Sequence, residues 1–243
     1  MTIALVTGAN KGIGREIAAR LATLDATVLL AARDAGRREE AVSALQAAGG
    51  DVHPLALYVT DPASVTAAAV EVERRFGRLD VLVNNAGISG SQAAQVPGGT
   101  DIDVVRAVFE TNVFGVIAVI EAFLPLLRRS TAARIVNMSS SVGSLARMSD
   151  PAHYFARMPG ALAYAPSKSA LNQITVQYAK QLRPEGILVN AADPGPCVTD
   201  FTAGIPGVTR TAADGAAIAV QLATLPGDGP TGAYLAESGP VPW

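Results

Sequence analysis

The sequence predicts a single-domain α/β fold: a doubly wound parallel sheet of about seven strands with helices on both faces. Short β-branched or aliphatic runs alternate with longer segments of helical period along the whole chain. Those runs mostly lack polar alternation, as strands covered on both faces do. No internal repeat, coiled coil or Pro/Ser-rich linker divides the 243 residues, so one domain spanning 1–243 is expected.

Strands are expected at 2–6, 27–32, 52–59, 81–83, 134–138, 187–192 and 233–236. The first helix starts near Ile13 and repeats apolar residues at Ile17, Leu21 and Leu24, one face of a helical period. A second covers 34–48 and stops at Gly49-Gly50. Asp61-Pro62 reads as an N-cap followed by proline in the first turn, opening a helix that Gly77 ends. Long helices are expected at 101–128 and 164–183, the latter stopped by Pro184 and Gly186. Irregular stretches at 89–100, 144–163 and 194–210 each follow a strand, so they gather at the carboxyl edge of the sheet, where such folds bind ligands.

Composition narrows the function. The chain is 49% hydrophobic but only 5% aromatic, which suits a core of small aliphatics and excludes disorder. A net charge of -2 offers no electrostatic case for nucleic acid or an acidic membrane surface. Cys197 is the single cysteine, so neither an intramolecular disulfide nor a thiolate metal cluster is possible. A reducing compartment fits. The apolar start lacks the features of a signal peptide, and the apolar run 113–127, interrupted by Gly115, Glu121 and Pro125, reads as too short to span a bilayer. A cytoplasmic protein is expected.

The first strand runs into Thr7-Gly8-Ala9-Asn10-Lys11-Gly12-Ile13-Gly14 immediately before the first helix. Glycines at 8, 12 and 14 permit a tight turn, close approach to a pyrophosphate, and packing of helix on strand. The helix N-terminus offers unpaired N–H groups to phosphate.

This Gly-x-x-x-Gly-x-Gly spacing resembles the short-chain dehydrogenase/reductase family. Asn84-Asn85-Ala86-Gly87 after the fourth strand, Tyr164-Ala165-Pro166-Ser167-Lys168, and Pro194-Gly195 extend the resemblance over nearly the whole chain, in family order. It implies a Rossmann-like fold and an NAD(P)-dependent oxidoreductase. In the family's NAD-dependent members a carboxylate falls at the position matching Ala32; here Arg33 follows, and Lys11 sits in the glycine loop. Two cations facing a 2'-phosphate favour NADP(H). Asp34 is counted as the start of the second helix. Tyr58-Val59 departs from the acidic or amide residue usual beside the adenine, and a tyrosine there would stack on or border the ring.

Tyr164 and Lys168 lie one helical turn apart. A neighbouring ammonium is expected to lower the phenol toward the working pH, making Tyr164 the proton donor. The resemblance implies that Lys168 also holds the nicotinamide ribose, that Ser140 binds the substrate oxygen with Ser139 as the alternative, and that Asn112 holds a water behind the lysine. Pro194 and Gly195 are implied beside the nicotinamide, Thr199 at its carboxamide, and Cys197 bordering it through backbone. The implied reaction is hydride transfer between nicotinamide and a carbonyl or alcohol. The alternatives are an NADP-binding sensor on the same fold and a short-chain-type epimerase.

Segment 144–163 is longer than the family's usual connection and carries Met148, Tyr154, Phe155 and Met158. It resembles the insertion of the carbonyl-reductase branch. It is expected to line or lid an apolar pocket opposite Phe201, with local core packing as the competing reading. In many relatives the two long helices form dimers or tetramers, so a homo-oligomer is preferred without excluding a monomer. The apolar tail ending in Trp243 is expected to dock on the body or on a neighbour.

Overall fold

The computed structural model describes residues 1–203 and 205–243. Its strands are β1 (Thr2–Thr7), β2 (Ala26–Ala32), β3 (Val52–Ala56), β4 (Val81–Asn84), β5 (Arg134–Met138), β6 (Leu188–Asp193), β7 (Tyr234–Ala236) and β8 (Gly239–Pro240). They form one sheet in the order β3-β2-β1-β4-β5-β6-β7-β8. All pairs are parallel except β7 with β8. The chain winds outward from β1 to β3, then crosses to β4 and winds the other way, so a crevice opens beyond the carboxyl ends of β1 and β4.

The missing polar alternation has a direct cause. Ile3, Leu5, Leu29, Leu82 and Ile135 point into one apolar layer, with Val72, Phe123 and Leu171 of the covering helices. Their neighbours Ala4, Val6, Leu30, Val83 and Val136 point into the other, with Ile17, Leu45 and Leu222. Both faces of every central strand are dry.

The helices are α1 (Gly12–Ala22), α2 (Ala35–Ala47), α3 (Pro62–Phe76), α4 (Ile102–Phe109), α5 (Gly115–Leu127), α6 (Leu145–Ser149), α7 (Tyr164–Leu182) and α8 (Ala212–Ala223). Asp34 caps α2 by accepting from Arg37 N at 2.9 Å, and Asp61 caps α3 by accepting from Ala63 N at 3.0 Å. Gly77 ends α3 with φ +71°.

Five expectations are corrected. Strand β3 stops at Ala56, because the chain turns where Tyr58 N donates to Ser64 Oγ at 2.9 Å. The helix expected over 101–128 carries a π turn at Glu110–Phe114, with Gly115 N–H reaching back to Glu110 O. Its helical run Ile102–Leu127 is 26 residues, long and apolar enough by length and composition to cross a membrane, so length does not exclude it. Val119, Ile120, Phe123 and Leu127 of that run are buried in the layer against the sheet. Helix α8 was not anticipated, although Thr211 and Asp214 form a reciprocal capping box at its start. The sheet gains an eighth strand, which returns antiparallel to β7. Beyond it the tail docks on the body: the Trp243 ring stacks on Tyr234 at 5.3 Å, and Trp243 O accepts from Ala146 N at 2.9 Å.

Candidate active site

The loop between β1 and α1 is shaped by what packs on it. Gly8 has φ +63°, and a Cβ there would stand 2.9 Å from Ala86 Cα. A Cβ on Gly14 would meet Asn85 Nδ2 at 2.3 Å. These two glycines let the Asn84–Gly87 segment close against the loop, while Gly12, φ +55°, carries the chain into the helix. The N-cap Lys11 makes no side-chain cap and the first turn has no acid, so the leading N–H groups of α1 remain free for an anion. This fits a dinucleotide phosphate. Ile13 packs partly into the core beside α8, and Asn10 is half-buried in the loop.

Asn84 and Asn85 serve this architecture through their side chains. Asn84 is buried and donates to Asn137 Oδ1 at 2.9 Å, so its amide faces into the sheet. Asn85 Nδ2 donates to Thr7 O at 2.9 Å and Gly8 O at 3.1 Å, while Thr7 Oγ1 accepts from Asn85 N and Ala86 N, both at 3.0 Å. Gly87 then passes between two polar side chains: a Cβ there would lie 3.2 Å from Asn112 Oδ1 and 3.8 Å from Lys168 Nζ.

At the end of β5 the serines divide. Ser139 is buried and donates to Asn172 Oδ1 on α7, which removes it as the alternative. Ser140 is half-buried and its hydroxyl acts to lower the Tyr164 phenol. Gly143 lets this turn press onto α7, since a Cβ there would be 2.8 Å from Lys168 Cβ. Lys168 Nζ donates to Met138 O at 2.7 Å and stands 5.6 Å from the Tyr164 ring centroid. Asn112, in the π turn and fully buried, donates to Ile88 O at 2.9 Å and Ser167 Oγ at 3.0 Å and accepts from Ile88 N. Both amide hydrogens are therefore spent on protein partners. The four residues expected from the sequence are brought together.

Their electrostatics correct one expectation. Burial pushes the Tyr164 phenol up to about 12, against a smaller lowering by the Ser140 hydrogen bond, and the Asp193 charge adds to the rise. Burial alone brings Lys168 down to about 8. The lysine is anchored to Met138 O and does not depress the phenol, so Tyr164 keeps its proton at neutral pH.

Arg33 follows β2 and Tyr58 follows β3, with the guanidinium 5.6 Å from the ring centroid. Both are exposed at the carboxyl edge; the Tyr58 phenol is lowered by its hydrogen bond with Thr60 and then by Arg33. Val59 is half-buried and packs on Gly115. Lys11 reaches across the crevice to pair with Asp200 Oδ2 at 2.7 Å.

After β6 the chain turns at Pro194-Gly195, Gly195 having φ +67°. Cys197 is buried against Gly215, and burial raises its thiol, an inert setting for a nucleophile. Thr199 lies against Gly12, and the Phe201 ring stands 5.4 Å from that of Tyr164. Segment 144–163 is unevenly buried. Phe155 is buried between His153 and Tyr154, while Tyr154 and Met158 are exposed and Met148 is half-buried.

Two residues were missed by sequence reasoning. Gln95, 1% exposed, accepts from Tyr164 N at 2.9 Å and donates to Ser89 O and Ser91 O. Asp193, buried at the end of β6, accepts from Ser141 Oγ and from Gly195 N. A charged residue closing a buried strand, directly before Pro-Gly, was the available signal for Asp193.

A model of the short chain dehydrogenase family matches residues 2–207. Short-chain dehydrogenase anuI of Penicillium roqueforti is 42% identical over 227 residues, covering 91% of this chain and 88% of its own. The NADPH-bound carbonyl reductase from chicken fatty liver superposes with a TM-score of 0.85 at 30% identity, covering 100% of this chain and 98% of that one. Salutaridine reductase from Papaver somniferum gives 0.84, also at 30% identity, with 98% and 100% covered. Sheet order, glycine loop and the Ser140–Tyr164–Lys168 cluster agree with that match, and the chain belongs to the short-chain dehydrogenase family of oxidoreductases.

Proposed function

We propose that the chain is an NADPH-dependent carbonyl reductase acting on a small aldehyde or ketone, with Tyr164 as the general acid. The observation that carries this reading is the gathering of Ser140, half-buried Tyr164 and Lys168 at the carboxyl edge of the sheet, with Lys168 Nζ 5.6 Å from the Tyr164 ring centroid. Ser140 donates to the carbonyl oxygen as negative charge develops there, and Tyr164 delivers the proton to that oxygen. A phenol that holds its proton at neutral pH favours reduction over the reverse reaction. When bound, the nicotinamide supplies the hydride that attacks the carbonyl carbon.

The N–H groups opening α1, with Lys11 and Arg33, would hold the phosphates, the two cations selecting the 2'-phosphate of NADP(H). Tyr58 would border the adenine. Lys168 would hold the ribose, and the backbone of 194–199 the carboxamide side. Segment 144–163 would act as an insertion shaping the substrate entrance through Tyr154 and Met158. Oxidation of NADPH in the presence of a panel of aldehydes and ketones tests the reading: turnover with several carbonyls is expected. NADPH binding with no turnover of any would favour a sensor.

A further inference from the structure

A cavity of about 470 Å³ opens at the carboxyl ends of β5, β6 and β7, lined by Ser141, Arg147, Asp193, Arg210 and Glu237 among others. It adjoins the reacting edge: Ser141 follows Ser140, and the Asp193 charge is felt at the Tyr164 phenol.

Formal charges in the cavity balance, two guanidinium groups against two carboxylates, but hydrogen-bonding capacity does not. Asp193 accepts from Ser141 on one oxygen and from Gly195 N, at 3.0 Å, on the other. Glu237 accepts from Arg210 Nη2 at 2.8 Å. The acids are engaged. A guanidinium carries five N–H donors and no acceptor. Among the described residues Arg147 spends one of them on a side chain, from Nη1 to Ser141 Oγ at 3.1 Å. Among the described residues the Arg210 Nε, buried beside Gly195, has no hydrogen-bond partner. Donors in excess in a half-enclosed site favour a ligand that brings acceptors, and the fork of Arg147 matches a carboxylate.

The geometry points to a substrate annex that recognises a carboxylate borne by the aldehyde or ketone, with Arg147 as the specificity-determining residue. This rests on the reductase reading and names its substrate class. Arg147 reaches Ser141, the immediate neighbour of Ser140, so the annex opens one residue along the chain from the serine assigned to the carbonyl oxygen.

The test reads affinity separately from carbonyl reduction. The NADP-saturated full chain is titrated by calorimetry with 4-(hydroxymethyl)benzoate and with 4-isopropylbenzyl alcohol. The wild type is expected to bind the carboxylate about tenfold more tightly than the neutral alcohol. Arg147→Met should abolish that preference while leaving the neutral alcohol within about twofold, and Arg147→Lys, which keeps the charge, should restore part of it. Equal affinities in the wild type, a preference that survives Arg147→Met, or no recovery in Arg147→Lys would each overturn the annex. Carbonyl turnover without carboxylate preference removes the annex alone. A preference without turnover of any carbonyl removes the reductase reading alone.

Discussion

The side-chain oxygen of Gln95 accepts a hydrogen bond from the backbone N–H of Tyr164 at 2.9 Å, across 69 residues of sequence. The residue in the N-cap position, Ala163, has no side chain able to do this. Gln95 also donates to Ser89 O and Ser91 O, and its own carbonyl accepts from Leu162 N at 3.0 Å. The loop after β4 and the start of the catalytic helix are thus one hydrogen-bonded unit. Gln95→Met keeps the bulk but strands one buried donor and two acceptors, at a cost of about 2–4 kcal/mol. The expected outcome is a melting temperature lower by roughly 5–10 °C. Turnover should fall about tenfold while the KM for NADPH stays within about twofold, because the glycine loop is untouched.

Replacing Tyr164 by Phe removes the proton donor and leaves the ring in place. Carbonyl reduction should drop by about a thousandfold, within the range general acid catalysis supplies. NADPH affinity, followed by fluorescence titration, should change little, since the phosphate-binding groups lie at the start of α1 and just beyond β2. A variant that retains wild-type turnover would sink the mechanism.

The pH dependence follows from the two shifted groups. Lys168 is charged below about 8 and Tyr164 stays protonated up to about 12. Reduction should therefore be flat through neutral pH and decline above about 8 as the lysine loses the charge that orders the site. Lys168→Arg keeps that charge and should move the alkaline limb upward. A limb at the same pH in that variant would assign the titration to another group.

The parts of this site legible in the sequence are those made by local spacing. Tyr164 and Lys168 share a helix face because they are one turn apart, and Gly8, Gly12 and Gly14 mark a turn that only small residues can make. What spacing cannot carry is which polar groups meet across the sheet. Gln95 sits in a stretch read as irregular, and its long-range partners, Leu162 and Tyr164, lie nearly seventy residues away in the chain. The same holds for electrostatics: the sequence places an ammonium beside a phenol, but only the fold shows Lys168 held by Met138 O and both groups dried by burial. Helix α8 escaped because alanine carries little hydrophobic periodicity, although its capping box was written in Thr211 and Asp214. The divided fate of Tyr154 and Phe155 is likewise tertiary: in one 3-10 turn Phe155 is buried while Tyr154, its ring 4.4 Å away, stays exposed.

Cofactor choice turns on a competition for Lys11. Its ammonium lies 2.7 Å from Asp200, with the two side chains 54% and 78% exposed, so the pair is solvent-screened and weak. Asp200 nevertheless occupies the cation expected to meet a 2'-phosphate and adds a negative charge near it. Asp200→Asn should release Lys11 and tighten NADPH binding about threefold, with little effect on NADH. Lys11→Ala and Arg33→Ala should act in the opposite sense, each weakening NADPH about tenfold more than NADH. Fluorescence titration with both cofactors at low and high salt measures this, and the NADPH advantage should shrink as salt rises. If Lys11→Ala and Arg33→Ala leave the ratio of the two affinities unchanged, the selectivity lies elsewhere than in these two side chains.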